Sequence, residues 1–358
     1  MRAESLTFLK NIVNAPSPSG YEEPAAQAYR DYTTSFADKV TTDNHGNVIA
    51  VLNPDAEAKV MLAGHIDEIG FQILFVSDDG FLYFRQIGGH DTTVPVGQRV
   101  WVHGPDGRVP GVIGRKPIHL LETSERDKKP ELHDMWIDIG VSSKEEALKL
   151  ISLGDAVTYQ VEFMELANGR ACARGFDNKV GAFTVAEALR LLKEEGGLNP
   201  NVGVYAVGTV QEEIGLRGAR TSAYSVDSQS GLAVDVDFAI DHPGVSKSRY
   251  GDIALGKGPS VARGANINPV VFRMVMEGAK KEGIAVQVGP EPGSTGTDAN
   301  AMQISRGGMA TGLVGIPLRY MHTPVELLQL SDVEQCARVM AAYCRLVKPD
   351  TDFRPGMG

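Results

Sequence analysis

Cysteine is scarce in this chain: Cys172, Cys336 and Cys344 are the only three in 358 residues. No two of them form a C-x-x-C pair, so neither a disulfide framework nor a thiolate metal centre is expected, and a reducing cytoplasm suits the chain best. Long apolar runs are also missing. No stretch approaches the roughly 20 apolar residues that cross a bilayer. The opening MRAESLTFLKNIV is apolar at Leu6, Leu9, Ile12 and Val13, which is helical spacing and not the continuous apolar core of a signal peptide. Excess basic charge is absent too: 35 Lys and Arg face 45 Asp and Glu, and the densest charge run, Glu125 to Lys129, mixes both signs. Neither nucleic acid nor membrane is expected as a partner, and the net charge of −10 suits a soluble, cytoplasmic protein.

Forty glycines and 19 prolines are scattered between apolar runs, so they punctuate turns and do not mark disorder. Helices are expected at about 4–14 and 22–36, the first stopped by APSPSG. Asn44-His45-Gly46-Asn47 reads as a hairpin turn into a strand at 48–52. The run Val60 to Gly64 is short and continuously apolar, as in a strand buried on both faces. From about Gly70 to Gln160 short β-like runs (FQILFV, FLYFRQI, RVWVHG, VPGVIG, AVTYQV) dominate, with one helix near 143–152. Beyond them helices and strands alternate: helix 179–195, strand 201–210, helix 216–224, strand 231–236, helix 269–282 and strand 284–288. Strand 310–316 and a helix over 331–346, with Ser331 as N-cap, complete the series. The expected architecture is α/β with a mixed sheet, formed by residues 1–68 and 162–358 and interrupted by an all-β, barrel-like or sandwich insert at 69–161.

Several polar residues stand just beyond buried strands, the edge where open α/β sheets bind ligands. His65 and Asp67 follow the 60–64 strand on one side of an extended segment, so Asp67 can orient His65. Glu212 and Glu213 follow VGVYAVGTVQ, and adjacent carboxylates there call for a positive partner. Asp235 sits inside GLAVDVDFAID and is the better ligand candidate, Asp237 being expected behind it or toward solvent. Asp177 lies in CARGFDNKVGAF, where an N-cap is the simpler role, and His322 lies in RYMHTPVELL. Each is ordinary in isolation. Together His, Asp, Glu, Asp and His form a set of hard-to-borderline ligands that suits two open divalent-metal positions if one carboxylate bridges.

The ordered segments AGHIDEIGF, GFDNKVG, VQEEIGLRGA, AVDVDFAID and RYMHTPVE resemble the tetrahedral (TET) metalloaminopeptidases, a family also described as glutamyl, leucyl or deblocking aminopeptidases and sometimes as endoglucanases. LKNIVNAPSPSGYEEPAA and VIGRKPIHL extend the resemblance over essentially the whole chain. It implies that His65 and Asp235 hold one metal and Glu213 and His322 the other, zinc or cobalt, with Asp177 bridging, Glu212 as general base and Asp67 orienting His65. It implies peptide substrates and a β insert that dimerises, the dimers building a hollow tetrahedral dodecamer. Asn178 and Lys179 depart from the Asp and Arg that often follow the bridging Asp, and the family's Gly-rich TDA segment appears as GSTGTDA.

Three other readings remain open at this level. A glycoside hydrolase needs two carboxylates and no metal, which leaves His65 and His322 without a role. A two-metal amidohydrolase acting on N-acyl amino acids or dipeptides would share the metal core. A non-catalytic assembly protein would have no use for the full set.

Overall fold

The computed structural model describes residues 1–356; Met357 and Gly358, which close the expected 162–358 segment, lie outside the described residues. Eleven strands form one mixed sheet whose centre is parallel: Val202–Thr209, Ala58–His65, Ser230–Phe238 and Ala310–Arg319 stand side by side. The run read as doubly buried is so for a simple reason. Side chains alternate along a strand, so Val60 and Leu62 enter one core cluster and Met61 and Ala63 the other. The first cluster lies under the helices Phe176–Glu195 and Leu330–Leu346, the second under Arg217–Val226 and Asp298–Gln303.

The run from Gly70 to Tyr159 forms a separate closed barrel of six antiparallel strands around Phe71, Ile73, Phe84, Val100 and Ile137. Closure leaves this β element without free edges and decides between barrel and sandwich in favour of the barrel. Its one longer helix, Lys144–Leu150, starts where expected, with the Ser143 hydroxyl accepting the Glu146 N–H at 3.2 Å.

Some boundaries differ from expectation. Ser331 is not an N-cap, because the last helix begins at Leu330 behind Gln329, which makes no side-chain capping bond. The strand expected at 284–288 runs instead over Gln287–Glu291, since it pairs with Ser260–Gly264 in a register the local apolar pattern does not encode. Helix Phe176–Glu195 begins earlier than 179, but Asp177 and Asn178 are non-helical and form a turn.

One close approach positions the site. Gly64 lies against Gly181, and a Cβ on Gly64 would come within 2.5 Å of the Gly181 carbonyl carbon. Gly64 lets the end of the central strand meet the start of the helix backbone to backbone, and Gly181 leaves room for the Asn178 side chain. The turn that carries Asp177 is thereby brought beside His65. No helix among the described residues is long and apolar enough to cross a membrane.

Candidate active site

The polar residues singled out by the sequence converge at the carboxyl edge of the sheet. His65 ends its strand, Asp235 lies near the end of the neighbouring one, and Glu212 and Glu213 follow Val202–Thr209. Asp177 comes from the turn after Arg170–Ala173 and His322 from the loop after Ala310–Arg319. His65 Nε2 is 3.3 Å from Asp177 Oδ1 and 3.9 Å from Asp235 Oδ1. His322 Nε2 is 3.2 Å from Asp177 Oδ2 and 3.6 Å from Glu213 Oε2. The five side chains thus form two groups, His65–Asp177–Asp235 and Asp177–Glu213–His322, with donor atoms within 4.8 Å of one another. Asp177 belongs to both through different oxygens.

These donors fit divalent cations. Ligands about 2.0–2.1 Å from a tetrahedral zinc stand roughly 3.3 Å apart, close to the spacings here. Glu213 Oε1 is buried with no hydrogen-bond partner among the described residues, an arrangement that costs free energy unless a cation meets it.

Electrostatics point the same way. Burial, and then the charge of Asp177, hold Glu213 well above the usual carboxylate range. Burial does the same to Asp235, with His65 opposing and Asp177 adding to the shift. Glu212 is pushed up to about 9 by burial, partly offset by His65 and reinforced by Asp235, Asp298 and Asp67. Burial pulls His65 down, yet Glu212, Asp177 and Asp67 outweigh it and leave the ring well above its ordinary value. Asp177 moves the opposite way: burial opposes, but its bonds to both histidines hold it below the usual range. Carboxylates this crowded resist joint ionisation, and nearby positive charge relieves them.

Asp67 holds the frame. Its backbone carbonyl and carboxylate face His65 Nδ1 at 3.1 and 3.3 Å, and its Oδ2 accepts the Ser19 hydroxyl at 2.6 Å. Asn178 ties the Asp177 turn to the neighbouring strand, donating to the Val234 carbonyl at 2.8 Å and accepting the Gly181 N–H at 3.0 Å. Lys179 is fully buried and donates at 2.9 Å to each of the Val13 and Ala15 carbonyls and Glu68, which also pairs with Arg174. Both departures from the family pattern therefore have structural partners, and neither side chain belongs to the two donor groups.

Other residues received no role in the sequence reading. Gly89, from the barrel segment, lies against the ring of His322. Asp298 is buried beside the site, and its Oδ2 accepts the Thr209 hydroxyl at 2.5 Å. Glu326 lies beneath Asp177 and His322. GSTGTDA and RYMHTPVE contained the signals for the last two, but their partners lie 89 and 149 residues away in sequence. Asp237, expected behind Asp235 or toward solvent, is half-buried; it lines the cavity shared with the donor residues and accepts the Ser260 hydroxyl at 2.5 Å. That cavity, about 580 Å³, opens onto both donor groups.

The M42 glutamyl aminopeptidase model matches residues 46–339, more than four-fifths of the chain. The chain belongs to the M42 glutamyl aminopeptidase family. A lysyl aminopeptidase of Pyrococcus furiosus is 37% identical over 353 residues, covering 97% of this chain and 99% of its own. The TET aminopeptidase of a marine sediment archaeon, Thaumarchaeota archaeon SCGC AB-539-E09, superposes with TM-score 0.92 at 35% identity, covering 97% of both chains. The TET1 peptidase of Pyrococcus horikoshii, described as assembling into a tetrahedron or a large octahedral shell, gives TM-score 0.84 at 32% identity over 96% of this chain and all of its own. This M42 chain is thus an aminopeptidase by family, and its family is metal-dependent. Lysyl and glutamyl relatives differ in the residue they are named for, so membership leaves the preferred N-terminal residue open.

Proposed function

We propose that this protein is a dinuclear metalloaminopeptidase that removes N-terminal residues from peptides. The observation that carries the reading is Asp177, whose two oxygens face two different histidines, each with a further carboxylate beside it. His65 and Asp235 would hold one divalent ion, Glu213 and His322 the other, and Asp177 both. Zinc or cobalt held there would supply Lewis acidity and an acidified water. Asp67 fixes the ring of His65, and the unassigned carboxylate, Glu212, stands 3.7 Å from His65 Nε2 outside both donor groups. It is placed to take the proton from the water that attacks the scissile carbonyl and to return one to the departing amine.

The cavity suggests which peptides fit. Among its described lining residues there is no Lys or Arg, while Asp237 and Glu291 stand on the wall beside Ser260. An acidic N-terminal side chain would meet no counter-charge there; a basic one would meet two carboxylates. We read the preference as basic over acidic, in keeping with the lysyl specificity named for the Pyrococcus furiosus relative.

Residues 1–68 and 162–358 are assigned to the catalytic domain and 69–161 to a dimerisation domain. The barrel exposes Leu74, Phe75 and Val112, and covering them in a homo-dimer fits the assembly described for the TET1 peptidase, with a dodecamer as the end state. The three cysteines are free and buried, which suits a reducing cytoplasm.

The test is a panel of aminoacyl-nitroanilides and N-acyl amino acids assayed before and after chelation. The expected result is cleavage of free-amine substrates that chelation abolishes and zinc or cobalt restores. Undiminished activity in chelator, or a preference for N-acyl substrates, would overturn the reading.

A further inference from the structure

Glu326 is a carboxylate that the mechanism above does not use. It begins the short strand Glu326–Gln329, opposite Ala173 in antiparallel register, and is 2% exposed. No Lys, Arg or His among the described residues forms an ion pair with it. Each of its oxygens instead accepts one backbone N–H: Oε2 from Asp177 and Oε1 from His322, both at 3.0 Å. Those two residues come from segments 145 positions apart (322 − 177), and their side chains meet at 3.2 Å.

The choice of residue is chemically restrictive. A buried carboxylate without a cation is costly, and a glutamine of the same shape would avoid that cost. Glutamine, however, has one acceptor oxygen and an NH2 group that would face the second N–H donor to donor. Only a carboxylate can accept both. The backbone it holds also needs holding: His322 has φ +59 and Tyr320 φ +62, left-handed conformations that cost a non-glycine residue about 1 kcal/mol or more. Asp177 sits in a turn with non-helical backbone at the head of its helix. Nothing else described here bonds directly to the backbone N–H groups of both residues.

We propose that Glu326 is a positioning residue that fixes the spacing of Asp177 and His322 by accepting one backbone N–H from each, and thereby sets the cation affinity of the Asp177–Glu213–His322 group. This rests on the two-metal reading above. Glu326 touches neither substrate nor ion; it acts through the two residues that do. Loss of such supporting contacts typically weakens metal binding about 10–100-fold.

The experiment uses the full chain, stripped of metal, as wild type, Glu326→Gln and Glu326→Ala. Zinc is titrated against a competing chelator, with kcat, KM and metal-free Tm measured alongside. The expected result is two binding steps in the wild type, one of them weakened at least tenfold in Glu326→Ala and by an intermediate amount in Glu326→Gln, which keeps one acceptor. The step that relies on His65 and Asp235 should weaken less, and kcat should fall with KM little changed. Wild-type zinc affinities in both variants would overturn the proposal, and a lowered Tm with two unchanged binding steps would reduce Glu326 to a fold residue. If Glu326→Ala does not fold, Glu326→Gln decides alone. A wild type that binds fewer than two ions would overturn the two-metal reading itself, which is a distinguishable outcome.

Discussion

The carboxylate of Asp67 stands 3.3 Å from Nδ1 of His65. The same carboxylate accepts the backbone N–H of Glu212 at Oδ1 (3.0 Å) and of Glu213 at Oδ2 (3.2 Å). One side chain therefore orients a candidate ligand and anchors the segment that carries both the candidate base and a second ligand. Asp67→Asn keeps the shape but replaces an acceptor oxygen with a donor NH2. We expect zinc affinity to fall about 10–100-fold, with kcat falling in parallel, as read by chelator competition. Unchanged affinity would remove Asp67 from the orienting role.

Glu212→Gln should separate metal binding from turnover. The candidate base lies outside both donor groups, so two ions should still bind. The rate should fall by about 10²–10⁴, the usual value of a positioned base. Near-normal kcat in the metal-loaded variant would count against this assignment.

Stability of the chelated protein should fall as pH rises from 6.5 to 8. Glu212 at about 9, Glu213, Asp235, His65 and His322 all have folded values raised above their ordinary ones. The folded state then holds more protons than the unfolded one, so stability declines with pH across that window. Groups shifted the other way act chiefly outside the window: Glu68, at about 2, below the ordinary carboxylate range, Lys179 from about 8 upward, and His90 and His103, both lowered to about 4 by burial, mainly below 6.5, where they offset only the start of the decline. Added zinc should raise Tm more at pH 8 than at pH 6.5. A chelated Tm that climbs over this window would contradict the crowded-carboxylate account.

Lys179→Met should be costly for stability. It leaves Glu68 with Arg174 as its one cation among the described residues, beside the Ser17 N–H, and leaves the Val13 and Ala15 carbonyls without the ammonium donor. Breaking a buried pair on one side costs about 3–5 kcal/mol, measurable by denaturant unfolding of the metal-loaded protein. A loss below about 1 kcal/mol would show that Arg174 suffices.

Asp237→Asn and Glu291→Gln should each lower the ratio of kcat/KM for lysyl over leucyl nitroanilide, by about tenfold, or roughly 1.4 kcal/mol. Activity on the leucyl substrate should change little. A wild type that prefers glutamyl substrates would refute the basic preference and leave the aminopeptidase assignment intact.

The α/β alternation, the β insert and the seven polar candidates from His65 to His322 were legible in the sequence. They depend on local features: apolar runs of strand length, turn residues, and polar groups at the ends of those runs. What the sequence left open depends on contacts between distant segments. Ser331 has the chemistry of an N-cap but sits inside the helix, which starts one residue earlier at Leu330. Asp237 shares a strand face with Asp235, but its partner Ser260 comes from another strand, 23 residues on. Gly89 reaches His322 from the barrel, and Glu326 joins two segments 145 residues apart. By itself the sequence determined which side chains could hold metal, since ligand chemistry belongs to the residue. Only the tertiary structure decided that Asp177 faces both histidines and that Glu326 lies beneath the pair, because hydrogen bonds across the sheet have no local pattern to announce them.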